Sequence, residues 1–118
     1  MAEIVHRIRF DAEPSLVFRA LREDELLQGV WKDIALRREE LVDGARVSWR
    51  CIGGPPEWID TRIAFDVQRE GRETVLRLSH AAWRATSDAM ADCATRWARV
   101  LFALKTRVET PEPEDVRV

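Results

Sequence analysis

The chain has 118 residues, 46% of them hydrophobic and 34% charged, with a formal net charge of −2. That suffices for one domain with a real core and excludes a disordered or fibrous polymer. The near-neutral balance leaves no electrostatic footprint for nucleic acid, and no apolar run approaches the roughly 18 residues of a membrane span.

Met1-Ala2-Glu3 leads straight into a strand pattern, so no leader is expected. Ile4, His6, Ile8 and Phe10 alternate with Val5, Arg7 and Arg9, which predicts a strand with one buried face. Asp11-Ala12-Glu13-Pro14 ends it. Pro14 suits a first helical position, and Val17, Phe18 and Leu21 give the next segment an apolar side. A second short helix is expected over Glu23 to Gln28, carrying Leu26 and Leu27, with Gly29 closing it.

Ile34 to Leu41 reads as a strand, Val42-Asp43-Gly44 as a hairpin turn, and Ala45 to Ile52 as the return, with Val47, Trp49 and Cys51 inward. Gly53-Gly54-Pro55-Pro56 must be a loop. Trp58 to Arg69 reads as the longest strand, with Ile59, Thr61, Ile63, Phe65 and Val67 on its inner face. Arg62 and Arg77 fall on the outer face, where Asp60 and Asp66 are the expected partners. Glu70-Gly71-Arg72 turns the chain into Glu73 to Ala82, with Leu76, Leu78 and His80 inward.

Met90, Cys93, Ala94, Trp97, Leu101, Leu104 and Val108 recur at helical spacing, so a long amphipathic helix follows, capped at its start by Ser87. Asp88 and Asp92 near its start and Lys105 and Arg107 near its end suit the helix dipole. Residues 1–109 form a single domain, and 110–118 an acidic, Pro-containing tail. The fold class is α+β: a curved antiparallel sheet wrapped around the C-terminal helix, with two short helices after the first strand.

Chemistry is sparse. His80 extends the inward set of its strand and could give or take a proton; it could equally be a core histidine satisfied by a neighbour. His6 shares that face if the first and last strands are neighbours. Two histidines without acidic or thiolate companions at ligand spacing make no metal site, and no cofactor is implied. Cys51 and Cys93 read as buried, reduced thiols of a cytoplasmic protein. Trp97 belongs to the core face, whereas Trp31, Trp58 and Trp83 sit at element ends, near the expected mouth of a crevice. There is no phosphate loop, nucleophile elbow, H-E-x-x-H or C-x-x-C motif, so no catalytic residue is assigned.

Taken together, Ala12, Pro14, Val17, Phe18, Ala20 and Leu21 resemble the A-P-x-x-V-W-x-A-L opening of the START-like (SRPBCC) superfamily. Within it the chain is similar to bacterial homologues of the Hsp-90 ATPase activator C-terminal domain. Trp58 through Phe65 is similar to their W-x-G-T-x-I-x-F strand. Leu76 through Trp83 is similar to L-x-F-x-H-x-G-W, and Trp97 through Lys105 resembles W-x-x-x-L-x-x-L-K. About one β-hairpin of the family pattern is missing between Trp31 and Ile34.

The resemblance implies a helix-grip fold with a crevice between sheet and C-terminal helix that, across the superfamily, takes apolar molecules. The leading expectation is a small hydrophobic ligand bound by Trp49, Ile63, Phe65, Leu78, His80, Met90 and Trp97. The alternatives are a cyclase- or dehydratase-like enzyme with His80 as general acid/base, or a chaperone-activator-like protein-interaction module. The missing hairpin leaves a sheet edge that a homodimer could bury.

Overall fold

The computed structural model describes residues 2–23 and 32–110. The expected helix after residue 23 with its closing Gly29, Trp31, and the tail beyond Thr110 lie outside the described residues. The elements run β1 (Ala2–Phe10), α1 (Pro14–Glu23), β2 (Ala35–Val42), β3 (Arg46–Gly53), a 3-10 turn (Pro56–Trp58), β4 (Arg62–Glu70), β5 (Glu73–Trp83) and α2 (Asp88–Glu109). The strands form a five-stranded antiparallel sheet in the order β1-β5-β4-β3-β2. α2 lies along its inner face, against β1 and α1.

Register follows the alternation. His80 sits opposite Ile4 on β1 and Ile63 on β4, while Leu78 sits opposite His6 and Phe65. Their side chains therefore share one face, and Ile63, Phe65, Leu76, Leu78 and His80 are fully buried there. From above, α2 adds Cys93, Trp97, Leu101 and Leu104. Burying each large apolar side chain contributes about 1.5–3 kcal/mol. Ser87 caps α2 as its sequence position implied, accepting the Met90 N–H at 3.2 Å. Gly44 (φ 78°) and Gly71 (φ 63°) make the two hairpin turns in a conformation that suits glycine.

Several expectations are corrected. Trp58 to Thr61 is not strand: Pro55 and Pro56 start a 3-10 turn, and Asp60, at φ 70°, breaks the extended path before β4 begins at Arg62. The longest strand is β5, with 11 residues against 9 in β4. On the outer face Asp66 pairs with Arg46 at 2.6 Å, and Arg62 approaches Glu39 at 3.9 Å.

Three irregularities interrupt the described sheet. Between the Ala35–Gly53 and Leu36–Cys51 pairs, Ile52 of β3 is an extra residue. In β2, Arg38 sits opposite Trp49 and Glu40 opposite Ser48, so Glu39 is an extra, bulged residue. In β5, Ala82 has φ 67°, and the register slips between the Ile4–His80 and Ala2–Trp83 pairs. That slip turns Trp83 onto the inner face, where its side chain is buried.

Candidate functional site: a buried aromatic cluster around His80

Three elements and the residue leading into β4 converge on His80. β5 supplies it, together with Trp83. The 3-10 turn supplies Trp58, the residue before β4 supplies Thr61, and α2 supplies Cys93 and Trp97. The His80 ring lies 4.7 Å from Trp58 and 4.7 Å from Trp83, centroid to centroid, and 6.2 Å from Trp97. Trp58 and Trp83 meet at 5.9 Å.

The hydrogen bonds run in one direction. Trp97 Nε1–H donates to His80 Nδ1 at 3.1 Å. An indole nitrogen only donates, so Nδ1 carries a lone pair and the neutral ring carries its proton on Nε2. That Nε2–H donates to Thr61 Oγ1 at 2.9 Å, and Thr61 donates to the Trp58 carbonyl at 2.6 Å. The Cys93 thiol stands 3.8 Å from Nδ1. Both ring nitrogens are thus engaged within the chain. With no charge to offset burial, desolvation pulls the His80 pKa from 6.5 down to about 3. The same burial pushes the Cys93 thiol up to about 11.

The expected ligand residues are only partly brought together. Ile63, Phe65, Leu78, His80 and Trp97 form one packed cluster, with Phe65 edge-on to Trp97 at 5.8 Å. Trp49 joins at its margin, half-buried and edge-on to Phe65 at 6.0 Å. Met90 is half-buried against the same core. His6 takes another course: its Nε2–H donates to the Ala94 carbonyl at 2.9 Å, tying β1 to α2. Sequence reasoning set Trp58 and Trp83 apart from His80, although both pack on its ring. The signal that could have found them is the pair of residues at positive φ, Asp60 and Ala82. Each stands where the quoted family patterns carry glycine.

Trp83 Nε1 is buried with no hydrogen-bond partner among the described residues. Trp83 also borders a surface groove of about 310 Å3 walled by Pro56, Glu57, Arg84, Ala85 and Ser87. A second groove, of about 370 Å3, runs between β1 and α2 past Ile8, Leu101, Phe102 and Lys105. No group of three or more His, Cys, Asp or Glu side chains that could hold a metal ion occurs among the described residues. Nor is any described helix long and apolar enough to cross a membrane.

A curved antiparallel sheet gripping one long C-terminal helix, with a helix after the first strand, defines a START-like protein of the helix-grip class. No family model matches the chain, and no curated protein does. Solved structures do. The Aha1 dimer from Colwellia psychrerythraea is 30% identical, with 92% of this chain and 97% of that one covered and a TM-score of 0.79. CalU16 from Micromonospora echinospora is 17% identical over 98% of this chain and 79% of that one, at a TM-score of 0.75. Protein MLL2253 from Mesorhizobium loti is 13% identical over 89% and 95%, at 0.74. The last two share the fold alone. The chain belongs to the START-like (SRPBCC) superfamily and, within it, to the Aha1-type homologues of the Hsp-90 ATPase activator C-terminal domain.

Proposed function

We propose that this chain is a homodimeric protein-interaction module that acts on an Hsp-90-type chaperone. One observation carries the reading: both hydrogen-bonding nitrogens of His80 are spent on Trp97 and Thr61 inside a packed cluster. A general acid/base must reach the substrate and titrate near the working pH. His80, fully buried and held at about 3, suits neither requirement. Membership of the Hsp-90 ATPase activator homologues supports the chaperone partner, and the Colwellia relative, a dimer, supports the homodimer. Free, buried Cys51 and Cys93 suit a cytoplasmic setting. Titrating the protein into an Hsp-90-type chaperone while following ATP turnover tests the reading. A saturable rise is expected; unchanged turnover with no binding would overturn it.

A second reading, a carrier of a small hydrophobic molecule, is favoured by Trp83. Its indole N–H, unpartnered among the described residues, would suit a ligand carbonyl, and the side chain borders the groove at Pro56 and Ser87. The ligand would enter past Trp83 and part Trp49, Ile63, Phe65, Leu78, His80, Met90 and Trp97. Native mass spectrometry separates the readings, since a retained small molecule would favour the carrier.

A further inference from the structure

The two edges of the sheet are treated differently. On β1, Lys105 of α2 donates to the Arg9 carbonyl, and the Glu109 carboxylate accepts the Asp11 N–H at 2.6 Å. Those side chains occupy backbone groups that an added strand would need. On β2, no described strand pairs with the outer side. Leu41 and Val42 are exposed there, Val42 at 54%.

The β2 sequence is self-complementary. Ala35-Leu36-Arg37-Arg38 is followed by Glu39-Glu40-Leu41-Val42. Laid antiparallel on a copy of itself, it sets cation against anion and leucine against leucine. In a straight strand this symmetry would be useless. Residues 36 and 41 would point to opposite faces, and a two-fold axis normal to the sheet brings together only residues on the same face.

The bulge at Glu39 removes the mismatch. Leu36 lies opposite Cys51, and Leu41 opposite Val47, both buried on the inner face. Arg37 lies opposite Arg50, and Glu40 opposite Ser48, on the outer face. The backbone agrees. Cys51 exchanges both its hydrogen bonds with the chain entering β4, at Thr61 and Asp60. By alternation Leu36, and likewise Leu41, then turn their N–H and C=O groups toward the open edge.

We propose that two copies of this chain pair antiparallel through β2, joining their sheets into one of ten strands. Leu36 meets Leu41 of the partner subunit, and Arg37 meets Glu40 of the partner subunit. The pairing rests on the homodimer reading and supplies its interface. Arg37 has no ion pair among the described residues and gains one in the dimer. Arg38 falls at the axis and meets its own copy, an unfavourable like-charge contact.

Sedimentation velocity over a concentration series tests this. Circular dichroism melts on each variant establish that it folds. Wild type is expected to dimerise. Arg37→Glu and Leu41→Lys should each weaken the dimer by about tenfold or more, and Arg38→Thr should strengthen it. An equimolar mixture of Arg37→Glu and Glu40→Lys should regain a tight dimer, because each new charge then faces its opposite. A dimer indifferent to Arg37→Glu and Leu41→Lys, or a mixture without rescue, overturns the interface while leaving the homodimer standing. A wild-type chain still monomeric at about millimolar concentration overturns both.

Discussion

Trp97 Nε1 stands 3.1 Å from His80 Nδ1, and the direction of that bond holds the imidazole neutral in the middle of the core. A protonated ring would have to break the bond, because its Nδ1 would become a donor facing a donor. Burial and bonding thus act in the same sense.

A pH dependence of stability follows. The folded pKa of His80, about 3, lies below the unfolded value of 6.5, so the unfolded chain binds the extra proton between those limits. The contribution of the neutral ring is full above pH 6.5 and declines as pH falls toward 3. Urea denaturation should show a loss of about 2 kcal/mol between pH 7 and pH 5 from this group. In His80→Phe the difference between the two pH values should shrink by that amount.

Thr61→Val keeps the shape of the side chain but leaves His80 Nε2–H without its acceptor. A cost of about 1–3 kcal/mol is expected in the same denaturation experiment at pH 7. A neutral effect would show that the hydroxyl is dispensable to the cluster.

Ala82 adopts φ 67°, a conformation that glycine reaches without strain. Ala82→Gly should raise stability by about 0.5–1 kcal/mol, the relief of left-handed strain exceeding the entropy that glycine adds to the unfolded chain. Thermal melting is the check, and a lowered midpoint would contradict the reading. Ala82→Val should move the midpoint the other way.

Cys93, held at about 11 by burial, carries about one part in a thousand of thiolate at pH 8, and burial also raises Cys51. A coloured disulfide reagent should therefore leave both thiols untouched in the native protein and react with both once denaturant unfolds it. Fast labelling of either in buffer would show that the cluster opens.

Ser87→Ala removes the acceptor for the Met90 N–H and should cost about 0.5–2 kcal/mol. Hydrogen exchange at the first turn of α2 should quicken more than at Leu101.

Periodicity made the regular parts of the fold legible. The buried stripe of α2 and the inner faces of β4 and β5 follow from spacing alone, as does the Ser87 cap. What stayed hidden are the places where the chain leaves regularity without a glycine to announce it. Asp60 and Ala82 take left-handed backbone, and Glu39 is an extra residue in a strand whose pattern reads as straight. Those departures turn Trp58 and Trp83 onto His80 and align Leu36 with Leu41. His80 itself was legible as an inward residue. Trp97 and Thr61 were legible as inward residues too, but their hydrogen bonds to His80 were not, because those form only through the docking of α2 and the 3-10 turn.

Lys105 and Glu109 cover the Arg9–Asp11 end of the outer edge of β1. A pair of subunits joined at β2 would therefore present two outer edges that are each plugged at one end and make poorer templates. Addition of a third copy is disfavoured, and with it growth into a fibre.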